Sequence, residues 1–229
     1  MPKTLLAIGA HYDDCVFGIP GILLQGVRKN CRVMILTLIG DYTNWPPIGS
    51  RHKELLTGTT AISKEYGVEM RYLNFRTHQF DVNLDTKRAM AEVIAEVQPE
   101  VAFLLWREDH HDDHMVASRL SEIALKFASP VLDKRQSRPP RQMYWYDNGP
   151  RHTLGFEPDT FVDITAEWDR AIEWLGRFMA LVRNEPYKTG SLDGAQQTKE
   201  ALALYRGKTC GVRYAEAVRA LGATARDIL

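Results

Sequence analysis

The sequence predicts an α/β fold with a doubly wound, mostly parallel sheet, and three observations carry that prediction. Short β-branched or leucine-rich runs alternate with longer amphipathic segments through the first half of the chain. Each amphipathic segment leads into another apolar run, as helical crossovers between parallel strands require. With 229 residues and 45% hydrophobic content, the chain can bury a substantial core as one domain, or as one domain with an appendage.

The strands are expected at Thr4–Gly9, Arg32–Leu38, Glu69–Phe75, Val101–Trp106 and Met143–Tyr146, each a short apolar run bounded by polar or turn-forming residues. Between them, helical periodicity covers Val16–Lys29, Arg51–Tyr66, Asp85–Val97 and Asp113–Ala128. The segment Ser129–Arg141 carries Pro130, Pro139 and Pro140 with four basic residues. Proline removes donors and fixes the backbone, so this is an exposed connection, either a solvated loop or a lid or oligomer arm. Beyond it come a strand at Thr160–Ile164 and helices at Glu167–Val182, Ala195–Tyr205 and Tyr214–Leu221. The expected organisation is a single domain over 1–229. Residues 1–147 form its Rossmann-like core, and 148–229 add a strand and a helical appendage.

Lys plus Arg and Asp plus Glu are 29 each, so no long-range field draws the protein to a polyanion. Nucleic acid and a membrane surface are therefore not expected partners. The apolar start of the chain is brief and runs directly into His11 and Asp13, without a secretory segment. No apolar stretch is long enough to span a bilayer. Cys15, Cys31 and Cys210 are odd in number and widely spaced, so a cytoplasmic protein with free thiols is the simplest expectation.

Two segments concentrate metal-binding residue types: Ala10-His11-Tyr12-Asp13-Asp14-Cys15 and Asp109-His110-His111-Asp112-Asp113-His114. They follow the ends of the first and fourth expected strands. In a sheet of order 3-2-1-4-5 those strands flank the topological switch point, where such folds bind ligands. Either segment alone could be a capped, solvated helix start. Together at adjacent strand ends they predict a site. His11 and Asp14, like His111 and His114, are three apart and can face one point. His11, Asp14 and His114 would supply three ligands and leave a position open, as catalytic zinc sites do. Asp13 is then placed to take a proton from water, His111 to donate to an oxyanion, and Asp113 to orient His111.

These two motifs resemble those of the LmbE-like, or PIG-L, family of N-deacetylases, whose patterns are Ala-His-Pro-Asp-Asp-Glu and His-Pro-Asp-His. The likeness continues through Thr37–Asp41, Arg51-His52-Lys53-Glu54, Val162-Asp163-Ile164-Thr165 and Tyr214-Ala215-Glu216-Ala217. The resemblance implies a zinc or similar divalent ion on His11, Asp14 and His114, with Asp13 as general base and His111 on the oxyanion side. It also implies a homo-oligomer and removal of an acetyl group from an N-acetylated amino sugar. Tyr12 and Asp112 stand where the family has proline, and Cys15 where it has glutamate. Some chitobiose-type deacetylases look similar in ending the first motif with cysteine, which points toward chitooligosaccharide-like compounds. Cys15 itself is expected to be a packed thiol.

Around the site, the residue pattern alone pairs Arg51 with Glu54, whereas the resemblance implies that Arg51 contacts substrate. Asp41, Tyr42, Asn44 and Trp45 should overhang the same crevice. Their aromatic faces suit sugar rings or pack on the scaffold. Asp109, with Trp106, leads into the second motif and carries the same two readings. His78 and His152 are expected to be ordinary polar residues. A phosphoester hydrolase is disfavoured because neither motif holds a Lys or Arg cluster. A purely binding protein would have no use for Asp13, and the dinucleotide-binding glycine pattern does not follow Gly9.

Overall fold

The computed structural model describes residues 3–133 and 137–222. Strand β1 (Thr4–Gly9) pairs in parallel with β2 (Arg32–Asp41) on one side and β4 (Val101–Leu105) on the other. Parallel strand β3 (Glu69–Arg76) lies beyond β2, and β5 (Gln142–Tyr146) beyond β4. The expected order 3-2-1-4-5 is therefore present, and the chain has the mostly parallel α/β class that its sequence predicts. Leu5, Leu6, Ala7 and Ile8 are all buried. Such an unbroken apolar run marks a strand covered on both faces.

The expected helix over Val16–Lys29 is two helices, α1 (Asp14–Gly18) and α2 (Pro20–Arg28). Ile19 between them has φ −137° and ψ 37°. The residue before a proline is pushed out of the helical region, while proline itself suits the first position of a new helix. Helix α6 (Trp168–Arg183) packs with both α2 and α3 (His52–Glu65), and α4 (Leu84–Val97) packs with α5 (Asp112–Val131). On α6, Trp174, Leu175 and Phe178 recur at helical spacing and are wholly buried. Helix α5 runs past Ser129, with its backbone leaving helical geometry at Phe127, three residues before Pro130. Part of the expected proline-rich connection, residues 134–136, lies outside the described residues.

The largest correction concerns Tyr214–Leu221. It is not a helix: Ala215–Ala220 forms strand β7, antiparallel to both β5 and β6 (Thr160–Asp163). The C-terminal segment thus adds two strands to the same seven-stranded sheet, along with α6 and α7 (Gly194–Cys210). Glu216 explains part of the choice. Its buried carboxylate accepts from the Gly21 and Ile22 amides at the start of α2 (3.0 and 2.8 Å) and lies 2.9 Å from the Lys199 ammonium. Among the described residues no helix is long and apolar enough to cross a membrane.

Candidate metal and active site

Both motif segments meet where β1 and β4 end side by side. After Gly9 the chain turns sharply into α1. A Cβ at Gly9 would lie 2.9 Å from Asp14 Cβ, so only glycine lets Asp14 fold back this closely. Asp13 occupies the N-cap of α1 and His111 that of α5, yet neither side chain makes a capping bond. Capping does not explain these residues, and both line a cavity of about 640 Å³.

His11 Nδ1 lies 3.1 Å from His114 Nε2 and 3.7 Å from Asp14 Oδ2, while His114 Nε2 lies 3.2 Å from Asp14 Oδ1. Donors about 2.0–2.1 Å from a tetrahedral ion sit about 3.3 Å apart, so the three residues fit one small divalent cation. The other nitrogen of each imidazole meets a carboxylate: His11 Nε2 is 3.2 Å from Asp113 Oδ2, and His114 Nδ1 is 3.1 Å from Asp109 Oδ2. Such pairs fix ring orientation and the tautomer in metal centres. Asp14 is oriented as well. Its Oδ2 accepts from the His11 amide (2.7 Å) and its Oδ1 from Asn148 Nδ2 (2.6 Å).

The electrostatics agree with a cation site. Burial opposes charge on His11 and His114, but Asp113, Asp14 and Asp109 outweigh it and raise the two imidazoles to about 9 and about 10. Asp14 is held well below the usual carboxylate range against the effect of its burial, by the charges and hydrogen bonds of His114 and His11. Without a metal the carboxylates retain protons on the ring nitrogens; a divalent cation would replace that positive charge. Burial, then the Asp14 charge, raises Asp13 to about 6. Burial, then the charges of His11 and His114, lowers His111 to about 4.

The expected residues divide into three groups. His11, Asp14 and His114 converge, with Asp13 and His111 beside them on the same cavity. Asp113 sits behind His11 rather than His111, whose Nδ1 is 3.8 Å away, and Asp109 backs His114. Of the expected substrate contacts, Trp45 lines the cavity. Arg51 instead donates to the Leu181 and Val182 carbonyls near the end of α6, and Asp41 accepts from Arg76 and Thr43.

His78 and His152 are not ordinary polar residues in this setting, since both line the cavity. The His78 ring stacks on His111 with centroids 5.0 Å apart, and its amide donates to Asp113. His152 Nδ1 is 3.7 Å from Asp109 Oδ1. Asn148 went unseen in the sequence. Its one signal there is its place just past β5, at the edge of the sheet where the other site residues gather. Tyr12 joins Tyr42 and Trp45 in an aromatic wall, with ring centroids 5.9 and 6.0 Å away. Cys15 is buried 3.3 Å from the Tyr146 hydroxyl, and burial pushes its thiol up. Replacing Asp109 with alanine is expected to weaken metal binding by about 10–100-fold, read by chelator competition; unchanged affinity would show that His114 needs no such support.

Fold and cluster together define a class of protein: a doubly wound α/β chain with a candidate His-Asp-His cation site at the sheet's switch point. The chain belongs to the PIG-L family, because the family model described as GlcNAc-PI de-N-acetylase matches residues 6–125, more than half of its length. It is thereby an enzyme of the PIG-L deacetylase superfamily. The chain is 23% identical to the 4-oxalmesaconate hydratase of Pseudomonas putida over 186 residues, which are 73% of this chain and 70% of the relative. It is also similar to the crystal structure of GalB, the 4-carboxy-2-hydroxymuconate hydratase of that species, with TM-score 0.80, 19% identity and 99% of both chains covered. The N,N'-diacetylchitobiose deacetylase of Pyrococcus horikoshii gives TM-score 0.77 at 18% identity, covering 96% of this chain and 84% of that one. At such identities the solved structures speak to fold.

Proposed function

We propose that this protein is a zinc-type metal-dependent deacetylase that hydrolyses the amide of an N-acetylated amino sugar. The observation that carries the reading is Asp13, a carboxylate on the cavity wall beside the three converging ligands and not consumed as one of them. His11, Asp14 and His114 would hold the metal, which when bound supplies Lewis-acid polarisation and a lowered pKa for water. Asp13 takes a proton from the attacking water, and the same proton goes to the departing nitrogen. His111 donates an N–H to the developing oxyanion, while Asp113 and Asp109 keep the ligand rings aimed. The products are acetate and a free amine.

The hydratase relatives give a specific second reading, the hydration of an unsaturated polycarboxylate. The cavity opposes it. Aromatic rings, histidines, Asn44, Thr77 and Asn148 make up much of its wall, and among the described residues Arg151 is its one Arg or Lys. Several substrate carboxylates would call for more guanidinium or ammonium partners. The metal-loaded protein is expected to release acetate from N-acetylglucosamine derivatives and to leave 4-carboxy-2-hydroxymuconate unchanged. Loss of the unsaturated acid's absorbance without acetate release from any sugar would replace deacetylation with hydration.

A further inference from the structure

The chain leaves β3 through a tight turn in which the Gln79 amide donates to the Arg76 carbonyl at 3.0 Å. His78 is the third residue of that turn and has φ +57°. A positive φ at this position is where turns favour glycine, and a side chain there costs backbone energy. Two contacts hold the turn against the site. The His78 amide donates to Asp113 Oδ1 at 2.9 Å, and the Thr77 carbonyl accepts from Asn44 Nδ2 at 3.4 Å. Both use the turn's backbone, so neither calls for an imidazole at position 78.

Burial does not explain the imidazole either, since the side chain is 60% exposed. Its Nδ1 is 3.9 Å from Asp113 Oδ1, beyond hydrogen-bond reach. What the ring does is stack on His111, with centroids 5.0 Å apart and planes 4° from parallel. Residues kept in a costly backbone conformation gather at sites where the geometry serves function.

His111 is the histidine of the site that lacks other restraint. His11 and His114 each set their second ring nitrogen against a carboxylate, whereas His111 Nδ1 is buried without a hydrogen-bond partner. Asp113 is the carboxylate nearest to it, and its two oxygens are taken by His11 and the His78 amide. The second side-chain torsion of histidine is soft, so packing must set this ring's orientation. Three rings do so: His11 meets it edge-on at 4.6 Å, and His114 and His78 lie near-parallel to it at 4.8 and 5.0 Å. His11 and His114 belong to the cation cluster. His78 is the contact supplied from outside it.

We propose that His78 is a positioning residue, whose ring, presented by the strained turn after β3, clamps the His111 imidazole in the orientation from which it donates to the oxyanion. This role rests on the part given to His111 in the deacetylase reading above.

Three variants separate a clamp from a scaffold. His78→Gly removes the ring and keeps the backbone bonds, His78→Asn tolerates the positive φ without a ring, and His78→Phe keeps a flat ring without a titrating proton. With the metal-loaded enzyme, His78→Gly and His78→Asn are expected to lower kcat for acetate release by about 10–100-fold, with KM and metal content unchanged. His78→Phe should recover most of that loss, and His78→Gly should melt no lower than the wild type because glycine relieves the turn. Wild-type kcat in His78→Gly, no recovery in His78→Phe, or a kcat loss accompanied by a lower Tm in His78→Gly would overturn the clamp.

If no N-acetylated sugar releases acetate from the wild type, the deacetylase reading falls, and NMR of the zinc-loaded protein decides the clamp separately. The His111 Cε1–Hε1 signal, identified by its loss in His111→Gln, is expected to be single and sharp in the wild type and His78→Phe but broadened or doubled in His78→Gly. The same signal shape in wild type and His78→Gly removes the clamp.

Discussion

Asp13→Asn is expected to lower deacetylation by about 10²–10⁴-fold while the protein keeps its metal. Asparagine preserves the shape of the N-cap residue but cannot accept the proton that hydrolysis must move. His11, Asp14 and His114 would be untouched, so metal content measured on purified variant should match the wild type. The loss should fall on kcat, because the side chain acts on water rather than on the sugar. Full turnover by metal-replete Asp13→Asn would show that some other group is the base.

The second large effect is on stability. Glu216→Ala is expected to cost about 3–5 kcal/mol, a fall in Tm on the order of 10 °C for a chain of this size. Glu216 and Lys199 are each 2% exposed, and the Lys199 ammonium donates to the Gly18 carbonyl at the end of α1. Removing the carboxylate strands that ammonium and leaves the Gly21 and Ile22 amides without an acceptor. Glu216→Gln retains an acceptor and should recover part of the loss. A calorimetric Tm unchanged in Glu216→Ala would mean that water or relaxation replaces the whole arrangement. The same contacts brace the break at Ile19, at the far end of the short helix that Asp14 begins, so a weakened variant should also lose metal more readily on chelation.

Much of this was legible in the sequence because it is local. Strand runs such as Leu5–Ile8 are apolar at every position, and that pattern reports burial on both faces whatever the neighbours are. The His-x-x-Asp and His-x-x-His spacings, placed at the ends of the first and fourth strands, locate the cation cluster once the strand order is known. Other roles were not legible because they depend on partners far along the chain. Asp113 could be read as a neighbour of His111, but the fold delivers it to His11, 102 residues away in sequence. Asn148 reaches Asp14 across 134 residues, and nothing in its own segment announces a ligand-orienting amide. Arg51 was matched to substrate through its motif, yet the carbonyls that receive it belong to α6, 130 residues on.

The C-terminus shows the division most sharply. Ala215-Glu216-Ala217-Val218-Arg219-Ala220 is rich in good helix formers, and propensity alone favours a helix. Two strands flank it in space and Glu216 finds three buried partners, so pairing and ion contacts overrule a preference of tenths of a kcal/mol per residue. By itself, then, the sequence determined the parallel α/β core and the three residues that can share a cation, since periodicity and spacing are properties of short segments. Tertiary structure alone decided which carboxylate backs which histidine, and that the segment Ala215–Ala220 is a strand. Those outcomes are set by contacts between residues far apart in the chain.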